Sequence, residues 1–151
     1  MLSVDEKKQL RVQFWNRFEA YASKARMRKG KPKHFILNNT GIRQLKLKLH
    51  FDEEQASVGI DIETRNLDKR IALFAKLEEL EPFISKALGT GTQWNLEILL
   101  PTGKSISRIA IVLPGVSIYH PNDWAAVIPF FYKKMSALED FFLEFRDLLK
   151  T

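Results

Sequence analysis

Paired acids are the first groups in this chain whose spacing suggests chemistry. Ala56, Val58, Ile60 and Ile62 alternate with Ser57, Gly59, Asp61 and Glu63. On a strand, residues i and i+2 share a face, so Asp61 and Glu63 form the kind of carboxylate pair a two-metal nuclease uses. Glu97, outward-facing on another alternating run, joins them if the two strands are neighbours. Such nuclease strands end in acidic-x-Lys, whereas here Glu63 is followed by Thr64 and Arg65. Arginine does not readily give up a proton and does not replace lysine at such a site. The acids therefore read better as a solvated or cross-strand-paired face that balances Lys46 and Lys48 than as a metal centre.

The other reactive residue types form no constellation. His34, His50 and His120 are scattered, with no metal-ligand spacing on one helix. Ser105, Ser107 and Ser117 lack a glycine-flanked nucleophile turn. Gly89-Thr90-Gly91-Thr92 follows a helix and precedes a strand, the reverse of the order that aims a helix N-terminus at phosphate, so it reads as a helix cap and turn. With 0 cysteines, thiol catalysis, cysteine-held metals and disulfides are excluded. No catalytic residue, cofactor or metal is implied.

Charge placement is more informative. The 151 residues carry 24 Lys and Arg against 18 Asp and Glu, a formal charge of +6. Nine of the cations lie between Ala20 and Phe51, a window with no acid; removing those nine from 24 leaves 15 basic residues against all 18 acidic ones. Arg26, Arg28, Lys29, Lys31, Lys33, Lys46 and Lys48 are the candidate phosphate contacts of a nucleic-acid-binding surface. Against this, cations suit a helix C-terminus and a solvated strand face. Between Arg26 and Lys48, Phe35 is the only Phe, Tyr or Trp, so the candidate contacts hold no set of stacking aromatics.

The elements that must position these groups are readable from periodicity. Ser3 and Glu6 form a capping box ahead of Leu10, Phe14, Phe18 and Tyr21 at helical spacing, through about Arg28. After the Lys29–Lys33 break, Phe35 to Leu37 is predicted as a short strand. Leu45, Leu47, Leu49 and Phe51 alternate with Gln44, Lys46, Lys48 and His50, and a short polar loop connects this run to the Ala56–Ile62 run as a hairpin. Asn66 caps a second helix with the stripe Leu67, Ile71, Phe74, Leu77, Phe83, Ile84 and Leu88, which Pro82 should kink or restart.

A second hairpin runs from Trp94 to Leu113 around Pro101-Thr102-Gly103. Its return strand shifts phase between Ile106 and Ile109, as a bulge would cause. Asn122 then caps a last helix to about Lys150. Besides its main stripe, that helix carries Phe130, Phe141 and Leu148 on one flank, an apolar arc of roughly 160° where about 100° suffices for ordinary packing. This flank is the candidate interface. The expected fold is one α+β domain over residues 1–151, in the order α-β-β-β-α-β-β-α. A mainly antiparallel sheet of four to five strands carries its helices on one face. The acid-containing N-terminus argues against a secretory signal, and no apolar run reaches the roughly 20 residues of a membrane span. A cytoplasmic location without membrane contact is the expectation.

Several of these residues together are familiar: Arg11-x-x-Phe14-Trp15-x-x-Phe18, the Ala56–Ile62 strand, Trp94 opening a strand, Ser107-Arg108-Ile109, and Gly115-Val116-Ser117-Ile118 followed by Asp123-Trp124. In motif order and over nearly its whole length the chain resembles the bacterial domain-of-unknown-function family 4268, in its stand-alone form. The resemblance implies no established activity and no catalytic residues. In some larger members such a domain sits beside nuclease-like domains, which implies a nucleic-acid or defence context. The residues and the resemblance together point to a non-catalytic interaction domain that forms a homodimer or meets another protein. Nucleic acid is the alternative partner.

Overall fold

The computed structural model describes residues 1–150. Its elements are α1 (Val4–Arg28), β1 (Leu45–Phe51), β2 (Gln55–Ile62), α2 (Leu67–Glu79), α3 (Glu81–Leu88), β3 (Gln93–Leu99), β4 (Ser105–Pro114), a 3-10 turn (Pro121–Asp123) and α4 (Trp124–Lys150). The two hairpins join edge to edge into one four-stranded antiparallel sheet of order β1-β2-β4-β3. Alternation places Leu45, Leu47, Val58, Ile60, Ile62 and Ile109 on the face that packs with the helices. Lys46, Lys48, His50, Asp61 and Arg108 stand on the opposite face, outside the core cluster that the described helices share with the sheet. The α+β class and the helices on one face thus match the sequence reading. Among the described residues, no helix is long and apolar enough to cross a membrane.

Local signals account for the element boundaries. The Glu6 amide donates to the Ser3 hydroxyl (3.1 Å) and the Ser3 amide to the Glu6 carboxylate (3.0 Å), so the capping box closes as expected. Glu6 is held below the ordinary carboxylate range by those Ser3 bonds. Asn66 accepts from the Lys69 amide and opens α2. Pro82 falls in the first turn of α3, where its missing donor costs nothing, so the chain restarts as a separate helix. Gly59 is required in mid-strand: a Cβ there would lie 2.3 Å from the Ile109 carbonyl oxygen, and only glycine lets β2 and β4 approach this closely.

Four expectations are corrected. Phe35 to Leu37 is not a strand. The Ile36 amide donates to the Glu139 carboxylate (2.9 Å) and Leu37 has a φ of 39°, so this backbone is held by a side chain from α4 instead of a ladder. The bulge lies on β3: Leu96 and Glu97 together oppose Ser107, while β4 keeps unbroken register with β2. Ile106 therefore faces away from Ile109 by simple alternation. Asn122 does not cap α4; it sits inside the 3-10 turn that leads into Trp124. Finally, Leu67 and Ile71 are exposed, and α2 buries Arg70, Leu73, Phe74 and Leu77. The helix is rotated so that a cation, not Ile71, takes the position beneath it.

The core centres on Phe14 of α1, whose ring meets Phe51, Trp124 and Phe131 edge-on with centroids 4.7–6.0 Å apart. Edge-to-face geometry of this kind adds to the burial energy of the rings. The Trp124 indole donates to the Ile118 carbonyl (3.0 Å), which fixes the start of α4 over the sheet.

Candidate functional site

The open sheet face brings the predicted acids and two of the predicted lysines together. Asp61 and Arg108 are cross-strand partners in the β2–β4 register. Their side chains form a two-pronged pair, Nε to Oδ1 at 2.8 Å and Nη2 to Oδ2 at 2.9 Å. Burial alone would raise the Asp61 carboxyl. The Arg108 bonds outweigh it and hold the group below its ordinary range, with a weaker pull from His50, whose Nε2 stands 3.7 Å away and beyond hydrogen-bond reach. Arg108 is pushed up in turn by the hydrogen bond to Asp61, against the cost of its own burial.

Glu63 is ringed by Lys104 at 3.3 Å, Lys46 at 3.5 Å and Lys48 at 4.0 Å. Glu97 instead accepts from the Ser105 hydroxyl at 3.1 Å, beyond β4. Both members of the acidic pair thus face cations at the positions a metal would take. No cluster of three or more His, Cys, Asp or Glu suited to a metal occurs among the described residues.

The basic window does not form one patch. Arg26 is 1% exposed. Its Nε donates to the Pro32 carbonyl (2.8 Å), and its Nη2 donates to the His34 carbonyl (3.2 Å) and the Glu139 carboxylate (3.0 Å); the guanidinium also lies 4.1 Å from the Phe35 ring centroid. Arg26 therefore ties α1, the 32–35 segment and α4 together and is withdrawn from any polyanion. Lys31 pairs with Asp140 (2.7 Å), and Lys29 lies over the Tyr132 ring. Arg28 and Lys33 are exposed. Lys46 and Lys48 stand on the far side of the sheet from the helices. The missed long-range partner is Glu139, an acid inside the apolar stripe of α4 and the one signal in the sequence for this tie.

A second basic site, absent from the sequence reading, lies at the end of the sheet where β2 passes into α2 and β3 turns into β4. A cleft of about 740 Å³ there is lined by Glu63, Thr64, Arg65, Arg70, Thr102 and Lys104, among others. Arg70 is 5% exposed, and its buried Nε donates to nothing among the described residues. Its legible signal was position: Arg70 occupies the i−3, i−4 and i−7 place of the stripe Leu73, Phe74 and Leu77.

The predicted interface flank is divided as well. Phe141 is 5% exposed and belongs to the core, Phe130 is half-buried, and Leu148 is 60% exposed. A groove of about 520 Å³ runs between α3 and α4, lined by Phe83, Phe141, Phe145 and Ala137, with Lys86, Asp140 and Glu144 along it. Phe83, on α3, is 50% exposed, with its ring centroid 4.8 Å from that of Phe145.

Residues 10–146 match a protein-family model described as a domain of unknown function (DUF4268). No curated protein and no solved structure matches the chain.

Proposed function

The chain belongs to the DUF4268 family of domains of unknown function, and since that description carries no activity, we propose from its geometry that it is a non-catalytic interaction domain that self-associates through the α3–α4 groove. The observation that carries this reading is the half-exposed Phe83, packed at a tilt against Phe145 at the mouth of an aromatic groove. Large aromatic side chains presented with little entropy left to lose are the usual anchors of protein interfaces. The occupant is a second copy. Lys86 lies on one wall and Glu144 on the other, and neither is in an ion pair among the described residues. A two-fold axis along the groove sets Lys86 of each copy against Glu144 of the other, so the patch is self-complementary.

The test is molar mass in solution. Light scattering across a concentration series should give a dimer for the wild type and a monomer for Phe83→Asp, a substitution at an exposed position that leaves the core intact. A wild type that stays monomeric at high micromolar concentration overturns the reading.

A second reading is favoured by the open sheet face, where Lys46, Lys48, Lys104 and Arg108 stand against Asp61 and Glu63 alone. Such a strip suits the backbone of a nucleic acid, and its binding should weaken steeply with salt, the slope falling by about one for each cation removed. Lys46→Glu with Lys48→Glu should abolish it. Absence of DNA and RNA binding even at low salt eliminates this alternative.

A further inference from the structure

Arg70 poses an energetic problem that the fold alone does not answer. A buried guanidinium needs acceptors, since an uncompensated buried charge costs several kcal/mol. Elsewhere in this molecule most of that requirement is met from within: around Arg26, Nε and Nη2 donate to two carbonyls and to the Glu139 carboxylate, which also neutralises the charge, and only Nη1 lacks an acceptor. Arg70 is 5% exposed, yet no carboxylate of the described residues is within ion-pair reach of it and its Nε has no acceptor. It lines an open cleft instead of a closed core, so an acceptor can arrive from outside.

The rest of the cleft is built to receive an anion. Arg65 and Lys104 line it, against one acid, Glu63, whose charge is already shared by Lys46 and Lys104. Counting Arg65, Arg70 and Lys104 against Glu63 leaves the site near +2. The N-terminus of α2, a helix of 13 residues, opens beside it at Asn66; the first-turn amides have no acceptor within the helix, and the dipole favours negative charge there. Thr64, whose oxygen accepts from the Asn66 amide, still has a hydroxyl proton to donate, as does Thr102. Asp68, in the first turn, is exposed and does not line the cleft.

We propose that this cleft binds the phosphate group of a small phosphorylated ligand, with the Arg70 guanidinium as its buried anchor and Arg65 and Lys104 at its mouth. The dianionic charge matches the cationic excess, and the guanidinium fork matches a pair of phosphate oxygens. The proposal is independent of self-association, which uses α3 and α4, and it shares only Lys104 with the polyanion strip, whose test rests on Lys46 and Lys48.

Calorimetric titration at constant ionic strength, in chloride, tests it with inorganic phosphate and phenyl phosphate as probes and phenol as control. The wild type should bind one phosphate group per chain and ignore phenol. Arg70→Met, which keeps the length of the side chain without its charge, should weaken binding about 30-fold or more, as expected for loss of charge-assisted hydrogen bonds. Without any probe, the same variant should melt at the same or a higher temperature than the wild type. A combined Arg65→Ala, Lys104→Ala variant changes only exposed cations and should lose affinity by itself, so the result does not depend on how well the methionine variant folds. Binding of phenyl phosphate alone assigns the site to esters; equal binding of both probes assigns it to the phosphate group. No binding of either by the wild type, or equal binding by wild type and the variants, overturns the proposal.

Discussion

Arg26 on α1 and Arg70 on α2 are 1% and 5% exposed, and each lies on the inner stripe of its helix among aromatic and aliphatic neighbours. Around Arg26 the chain supplies a carboxylate, two carbonyls and an aromatic face from α4 and the 32–35 segment. Around Arg70 the described residues supply none of these, and a cleft lies where the acceptors should be. The first arrangement is a structural tie completed during folding. The second has the form of a site completed by something that arrives afterwards. The difference shows that burial of a cation is uninformative until its acceptors are accounted for.

The largest effect that can break this comparison is expected at Arg26. Arg26→Met leaves Glu139 buried with only the Ile36 amide as donor, and loss of one member of a buried pair costs about 3–5 kcal/mol. Urea unfolding should show that loss as a drop in midpoint. Replacing both members, Arg26→Met with Glu139→Leu, should recover much of it, because no charge is then left buried alone. Arg70→Met should cost nothing or stabilise. If the two single methionine variants fall by similar amounts, the distinction between tie and site is wrong.

A third arginine sharpens the scale. Arg108 is half-buried and meets Asp61 with both prongs. Asp61→Asn, which keeps shape but not charge, should cost about 2 kcal/mol, the range for charge-assisted bonds. It should also change the pH dependence. The folded Asp61 carboxyl sits below its unfolded value of about 3.9, so its contribution is complete above that value and is lost as pH falls through the folded value. Stability of the wild type should therefore decline more steeply than that of the Asn variant from about pH 4 downward, measured as urea midpoint against pH. Parallel curves would show that the pair contributes no charge-dependent stability.

How much of this was legible follows from the distance over which each signal acts. The capping box, the Asn66 cap and the two alternating hairpins are local, and they were readable because the deciding residues lie within a few positions of one another. The failed strand at Phe35–Leu37 was decided by Glu139, 103 residues away from the amide it holds, and no local pattern carries that. The Asp61–Arg108 pair needed the order β1-β2-β4-β3, which sets side by side two strands that are not consecutive in the chain. Asp61 and Glu63 were correctly placed on one face with Lys46 and Lys48 of β1 beside them, whereas the other two cations, Arg108 and Lys104, came from β4 and the β3–β4 turn. Arg70 was hidden by hydropathy itself. Ile71 fits an apolar stripe better than arginine does, and the rotation of α2 that exposes Ile71 buries a charge no periodicity rule would put inside.

The smallest effect lies at Lys31, which shares the acid-free window with Arg26 and pairs with Asp140, the residue next to Glu139. Its bond is short at 2.7 Å, but the side chains are 33% and 62% exposed. Water and salt screen such a pair, and its net worth is about 0–0.5 kcal/mol. Lys31→Ala should therefore shift the urea midpoint barely at all, and raising salt should erase what shift there is, because surface pairs lie within reach of counterions. Arg26→Met should keep its cost at the same salt, since the Glu139 pair is sealed from solvent. A Lys31 effect that rivals the Arg26 effect would mean that proximity and bond length, not exclusion of water, govern what these cations contribute, and the contrast drawn between Arg26 and Arg70 would lose its physical basis.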